Sequence, residues 1–437
     1  MTVQLPDIPK RIVYLDHAAT TPTDPRVVEA MLPYFTENFG NPSGLYTISR
    51  DANDALTDAR AKIATILHCT PAEIIFTGGG TESDNLALFG VARKYGNNPK
   101  WGKHIITSQI EHHAVLLPTE VLKKEGFTIT ETPVNADGEV SVEKIIGAIT
   151  PQTILISIMY ANNEVGTIEP IADIGRALLK WKKENGRGPT EPPFLHTDAC
   201  QAAGVLSLDV AALHVDLMTL NGSKIYGPKG VGLLYCRRGV QLTAHIVGGG
   251  QEARMRSGTE NVPAIVGLAR ALELAQESAA AENARLTELR EYFWREIQAR
   301  VPKLVLNGHP TNRLPNNLNF TILDIEGEAV LLYLDEYGIA CSTGSACTST
   351  SLDPSHVILA MGKPYEYAHG SLRFTMGHAT SKADIDHVLA VLPPVVELLR
   401  SISPINLSLD QKQGDMAARA AFVEDGVPHW MARKGGV

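Results

Sequence analysis

The chain has 437 residues, enough for two domains and a large core, since single cores stop growing at roughly 250 to 300 residues. Against 48 Asp and Glu stand 39 Lys and Arg, a net charge of −9 with no basic block, which argues against nucleic acid or an anionic membrane surface as the main partner. Five cysteines, Cys69, Cys200, Cys236, Cys341 and Cys347, are odd in number and lack the paired spacing of a disulfide framework or zinc site, so a reducing cytoplasm and no metal are expected. Met1 to Pro9 carries an acid and two prolines instead of a basic start before an apolar run, and no stretch nears the roughly 18 apolar residues of a membrane helix.

Strand-length apolar runs alternate with longer helical patterns over about the first 240 residues, which predicts a parallel sheet covered by helices. Ile74-Ile75-Phe76 leads into Gly78-Gly79-Gly80-Thr81 and a helix with Leu86, Phe89 and Gly90 on its buried stripe. His104-Ile105-Ile106 is a strand, with a helix around Val115 to Lys124 after it. Ile154 to Met159 is a strand ending in Asn162-Asn163-Glu164; Phe194-Leu195-His196 leads to Asp198, and Leu217 to Leu220 leads to Asn221-Gly222-Ser223-Lys224. Polar groups thus gather just past strand ends, where open α/β sheets hold ligands. Beyond about Asn261 the pattern changes to two helices, Val262 to Ala279 and Glu282 to Arg300, then strands at Leu304 to Leu306 and Asn317 to Phe320, a helix Glu328 to Tyr337, a strand Leu372 to Phe374 and a last helix Ala383 to Arg400. The domains expected are an N-terminal segment 1–15 joining the smaller domain, a large domain 16–261, a small domain 262–402 and a loosely held tail 403–437.

Four features bear on chemistry. A glycine triplet between strand and helix offers free N–H groups to a phosphate, with the Thr81 hydroxyl as a further donor; alone it is more often only a tight turn. Lys224, in a glycine-rich turn beyond an apolar strand, suits Schiff-base chemistry, or is a solvated turn lysine. Asp198 at the end of a buried strand is a cap, or the partner of a pyridinium nitrogen. Cys347 lies in Ser342-Thr343-Gly344-Ser345-Ala346-Cys347-Thr348-Ser349, small polar residues with no bulky side chain to bury it, and reads as an exposed, mobile nucleophile.

These residues sit in stretches that resemble the cysteine desulfurases, fold-type I pyridoxal 5'-phosphate (PLP) enzymes of the class V aminotransferase-like group involved in iron–sulfur biosynthesis. The likeness is carried by Tyr14-Leu15-Asp16-His17-Ala18-Ala19-Thr20-Thr21-Pro22, Phe39-Gly40-Asn41-Pro42-Ser43, Thr81-Glu82-Ser83-Asp84-Asn85, Glu111-His112, Asn162-Asn163-Glu164-Val165-Gly166, Lys224-Ile225-Tyr226-Gly227-Pro228-Lys229-Gly230, Arg256-Ser257-Gly258-Thr259 and Gly344-Ser345-Ala346-Cys347-Thr348-Ser349, in family order.

The resemblance implies a large, mostly parallel-sheet domain with helices on both faces, a smaller α+β domain, and a homodimer. It implies that Lys224 carries PLP and moves the proton at the substrate Cα, that Asp198 holds the pyridinium nitrogen and Gln201 the ring O3', and that His112 stacks on the ring. Gly80, Thr81 and Ser223 would bind the phosphate, with Thr259 reaching in from the other subunit. Asn163 and Arg373 would hold the substrate carboxylate. By themselves, His112 reads as a helix cap, Arg373 as an outward-facing strand residue and Asn162-Asn163 as a turn. The implied reaction turns L-cysteine into L-alanine with the sulfur on Cys347 as a persulfide, delivered to an iron–sulfur scaffold protein or a thiolation carrier. Selenocysteine lyase, another class V enzyme, or a non-enzymatic redox or scaffold homologue are the alternatives.

The chain departs from the family pattern in places. Ser223 stands where the family has His before the lysine, and Asn221 where it has Ser or Ala; a hydroxyl and an amide can still donate to phosphate. Lys182 to Pro193 is long for the family and is expected to be a surface loop. Cys341 is an extra thiol, expected as a small buried residue, otherwise a resolving thiol or metal ligand.

Overall fold

The computed structural model describes residues 5–343 and 354–403. Cys347, the segment around it and the tail from residue 404 lie outside the described residues. The chain divides into a larger unit, residues 17–287 and 308–316, and a smaller one, residues up to 16, 288–307 and from 317 on. Its strands are β1 (Val13–Tyr14), β2 (Ile74–Thr77), β3 (His104–Ser108), β4 (Thr128–Thr132), β5 (Thr153–Ser157), β6 (Phe194–Asp198), β7 (Leu217–Asn221), β8 (Gly232–Cys236), β9 (Leu304–Asn307), β10 (Asn317–Ile322), β11 (Ile339–Ala340) and β12 (Ser371–Thr375).

The larger unit is built on a seven-stranded sheet in the order β2-β8-β7-β6-β5-β3-β4. From β7 to β4 its neighbours are parallel. Only β8 runs against both its partners, β7 and β2, because the glycine-rich turn 222–231 is too short for a crossover helix and must bring the chain back antiparallel. Alternate residues feed cores on opposite faces: Phe76, Ile106, Ile156, Leu195 and Met218 on one, Ile75, Ile105, Leu155, Phe194 and Leu217 on the other. Strands buried on both sides read as continuous apolar runs, which is why they were legible.

In the smaller unit β1 pairs in parallel with β11, and β9, β10 and β12 form an antiparallel sheet with β10 central. Phe293, Phe320 and Phe374 are buried together, with Phe374 5.1 Å from Phe293 edge-on and 5.5 Å from Phe320 in a stack.

Two expectations change. The helical patterns expected before and after residue 280 are a single helix, Val262–Arg300; the junction Ala279-Ala280-Ala281-Glu282 contains only strong helix formers and nothing to stop it. The segment 182–193 is not all surface. Lys182 closes the helix Ile171–Glu184 and is 3% exposed. Its ammonium lies 4.0 Å from Asp216 and 3.5 Å from the Pro189 carbonyl. Trp101 takes Lys100 and Arg187 over its ring at 4.2 and 4.7 Å, so cation–π contact fastens the rest of the segment.

Candidate active site

The sheet brings the polar groups together at the C-terminal ends of its parallel strands. Asp198 ends β6 opposite Thr219 of β7, is 8% exposed, and accepts the Cys200 N–H at 2.9 Å. Lys224 follows β7 by one tight turn, Gly222–Lys224. Its ammonium donates to the carbonyls of Ala18, at 2.9 Å, and Ala19, and Gln201 Nε2 donates to the same Ala18 carbonyl at 3.0 Å. Two side chains assigned to one site from distant stretches therefore share an acceptor.

The glycine triplet opens the helix Gly80–Tyr95 with Gly79 at φ 150°, a conformation open to glycine and strained for other residues. A Cβ at Gly80 would stand 2.9 Å from Cys200 Sγ, so the strand–helix junction sits directly on the end of β6. The first N–H groups of that helix have no acceptor inside it. They open on a cleft of about 480 Å³ whose lining includes Gly78, Gly79, Gly80, Thr81, Asn221 and Ser223. Glu82 would oppose an anion there. Its carboxylate accepts the Gly78 N–H at 2.8 Å and pairs with Arg256 at 2.9 Å, which offsets its charge. Polar N–H groups in a glycine cradle, a lysine one turn from it and a nearby buried aspartate suit a phosphorylated pyridine ring.

His112 is the N-cap of the helix His113–Lys124, its Nδ1 accepting the Ala114 N–H at 3.0 Å. The neutral ring therefore carries its proton on Nε2. Inside that helix Pro118 has no N–H for the Ala114 carbonyl; Asn85 Nδ2 reaches the orphaned oxygen at 3.4 Å and bonds Thr81 O at 2.8 Å. Asn85 thus ties the first turn of the phosphate helix to the helix that His112 caps. Asn162 spends its carboxamide on the turn, accepting the Glu164 and Val165 N–H groups and donating to Ile110 O at 3.0 Å, while Asn163 beside it is half-buried.

Arg373 lies on β12 in the smaller unit. It is buried and paired with Asp16 at 2.7 Å, not outward-facing; the two are far apart in sequence, so spacing could not reveal the pairing. Thr259 is exposed and outside the residues lining the cleft. Cys347 lies outside the described residues. The other cysteines are free, and burial raises the thiol pKa of each, to about 12 for Cys69 and Cys236 and upward for Cys200 and Cys341. At Cys341 the Asp16 carboxylate adds to the effect. None of these four is poised as a thiolate.

Sequence reasoning gave no role to the buried groups Glu111, Asp84 and His196. Glu111 accepts from Ser108 Oγ at 2.5 Å and from the Met159 N–H at 3.0 Å, and burial above all pushes its carboxyl up to about 8. Asp84 is raised by burial and then by the charge of Asp198. His196, held between Ser157 at 2.8 Å and Thr219 at 3.1 Å, is lowered by burial to about 4 and stays neutral. Burial and the Asp198 charge thus act together to favour the protonated form of Asp84. Asp84 and Glu111 stand in stretches that carry the family likeness, but the depth at which they are buried comes from packing between distant elements and leaves no local pattern.

Residues 13–388 match the aminotransferase class-V family, and the chain belongs to it. It is 51% identical over 395 residues to the cysteine desulfurase IscS of Clostridium botulinum, spanning 90% of this chain and 96% of that one. It is 50% identical to that of Methanosarcina thermophila over 90% and 94% of the two chains. A solved NifS-like protein has a TM-score of 0.82 at 35% identity over 89% of this chain and all of its own, and SspA in complex with cysteine has 0.71 at 36% identity over 83% and 98%. Within the family the chain stands among the cysteine desulfurases.

Proposed function

We propose that the chain is a PLP-dependent enzyme that converts L-cysteine to L-alanine and places the sulfur on Cys347 as a persulfide. The observation that carries this is Lys224 and Gln201 meeting at Ala18, beside the Asp198 strand end and the glycine-lined cleft, in a chain half identical to cysteine desulfurases. Gly80, Thr81 and the 221–223 turn would hold the phosphate, Asp198 the ring nitrogen, Gln201 the ring hydroxyl, and His112 the ring face. Bound there, PLP supplies an electron sink for the charge left at the substrate Cα. Lys224 Nζ moves the Cα proton, and His112 Nε2 carries a proton that can be relayed. Asn163 and the Arg373 guanidinium hold the substrate carboxylate. The Cys347 thiolate attacks the substrate sulfur, so that L-cysteine plus the thiol gives L-alanine plus the Cys347 persulfide.

An iron–sulfur scaffold protein or thiolation carrier in the cytoplasm is the proposed acceptor. No helix among the described residues is long and apolar enough to cross a membrane. A homodimer is supported by the apolar side chains exposed between Leu32 and Tyr46, among them Phe35, Phe39 and Leu45, the last 92% exposed. In it Thr259 would serve the partner's phosphate site.

The decisive experiment is a single turnover with sulfur-labelled L-cysteine and no reductant. One alanine should form per labelled persulfide on Cys347, and Cys347→Ser should form neither persulfide nor alanine at the normal rate. Borohydride should fix PLP on Lys224; fixation on Lys229, or on no lysine, refutes the assignment.

A further inference from the structure

We infer that Thr21 is a positioning residue for the proposed reaction: it holds the turn that carries Lys224 and so aims the Lys224 ammonium. The inference rests on the PLP reading above, in which Lys224 moves the Cα proton, and adds to it a residue that reading leaves without a role.

Four hydrogen bonds join Thr21 to residues 223–229. Its N–H and its hydroxyl both reach the Ser223 carbonyl, at 2.9 and 3.1 Å. Its Oγ1 accepts the Tyr226 N–H at 2.8 Å, and its carbonyl accepts Lys229 Nζ at 2.9 Å. The partners fix each direction, since a carbonyl only accepts and a backbone N–H only donates. Residue 223 precedes the lysine and residue 226 follows it by two, so one side chain pins the turn on both sides of Lys224.

The turn needs such a hold. Tyr226 has φ 61°, the left-handed region, where a bulky residue persists only when its surroundings keep it there. Thr21 takes its N–H, and the Asp24 N–H reaches its carbonyl at 2.9 Å, so the segment 21–24 grips both backbone groups of the strained residue. Thr21 is 2% exposed, and its bonds lie away from bulk water, where they are stronger than at the surface. The same stretch of chain also receives the far end of the lysine, because the ammonium donates to the Ala18 and Ala19 carbonyls. Residues 18–24 therefore set Lys224 twice. Thr21 fixes the backbone from which the side chain starts, and the two alanine carbonyls fix where its ammonium ends. Valine at 21 would have the same shape with neither donor nor acceptor, leaving the Tyr226 N–H unmatched and the left-handed turn free to relax.

The test compares Thr21→Val, which keeps the shape and loses the hydroxyl, with Thr21→Ser, which keeps the hydroxyl, in the full chain at a temperature where unfolding curves show both folded. On protein stripped of cofactor, attack of Lys224 on added PLP is followed by absorbance of the lysine adduct. Thr21→Val should slow it by about tenfold, and with PLP bound should lower kcat for alanine formation by about tenfold to a hundredfold, as a misplacement of about 1 Å does. KM for L-cysteine should stay close to that of wild type, because carboxylate binding is untouched. Thr21→Ser should restore both rates. With Thr21→Val, cysteine deuterated at Cα should react more slowly than ordinary cysteine, since the proton that Lys224 moves then limits the rate. Equal rates for the two substrates, or Thr21→Ser as slow as Thr21→Val, overturns the inference. Rapid hydrogen exchange at the Tyr226 amide of wild type overturns it as well, and that measurement stands even where Thr21→Val does not fold. If borohydride fixes PLP on Lys229 or on no lysine of wild type, the PLP reading itself falls.

Discussion

At the scale of single residues, the four described cysteines are disfavoured as thiolates, and the proposed nucleophile is the fifth. At neutral pH a limiting amount of iodoacetamide should modify Cys347 at least about tenfold faster than Cys69, Cys200, Cys236 or Cys341, as thiolate fraction dictates. Peptide mapping by mass reads this out, and equal labelling of Cys341 would make it the nucleophile. Glu111 allows a second expectation, with a definite sign. Its folded carboxyl titrates at about 8 against an ordinary 4.5, so the protonated form favours the fold. That contribution is complete below about pH 4.5 and is lost as pH rises to about 8. Urea unfolding of wild type should show stability falling across this window, and Glu111→Gln, neutral throughout, should flatten the fall. Asp84 and Glu169, both raised by burial, leave part of the slope in place. An identical slope in the variant would mean that Glu111 does not titrate there.

At the scale of elements, Gly232 shows how a strand shapes a site. Any side chain there meets the backbone of Gly79 and Leu220, so Gly232→Ala should cost about 1 to 3 kcal/mol of stability and weaken PLP binding together with it, measured by unfolding and cofactor titration. Loss of stability with normal PLP affinity would show that the cradle tolerates the shift. Most elements of this sheet were legible because doubly buried strands are unbroken apolar runs and the polar groups fall just after them. Chain order and spacing singled out Lys224, Asp198 and the glycine turn as candidates, and the family resemblance supplied the roles proposed for them. The single helix Val262–Arg300 was misread as two, since weakened periodicity looks like a break while alanines carry the backbone through. The bonds between Thr21 and the lysine turn, the Arg373–Asp16 pair and the depth of Glu111 depend on side-chain geometry or on contacts between distant stretches. Local patterns carry no trace of them.

At the scale of the whole molecule, five large apolar or aromatic side chains, Leu32, Phe35, Phe39, Leu45 and Tyr46, stand exposed within one short stretch, and such surfaces mark interfaces. Leu45→Asp together with Phe35→Asp should turn a dimer into a monomer in sedimentation, and, since Thr259 is proposed to serve the partner, should reduce PLP retention as well. A monomeric wild type would refute the dimer. The pairing of β1 with β11 joins Val13 to Ile339, and this has a meaning in time. A ribosome releases the chain at about 5 to 20 residues per second, so Val13–Tyr14 emerges tens of seconds before its partner strand. Through that interval the larger unit can complete its sheet, while the opening segment stays an unmatched edge, open to any competing strand.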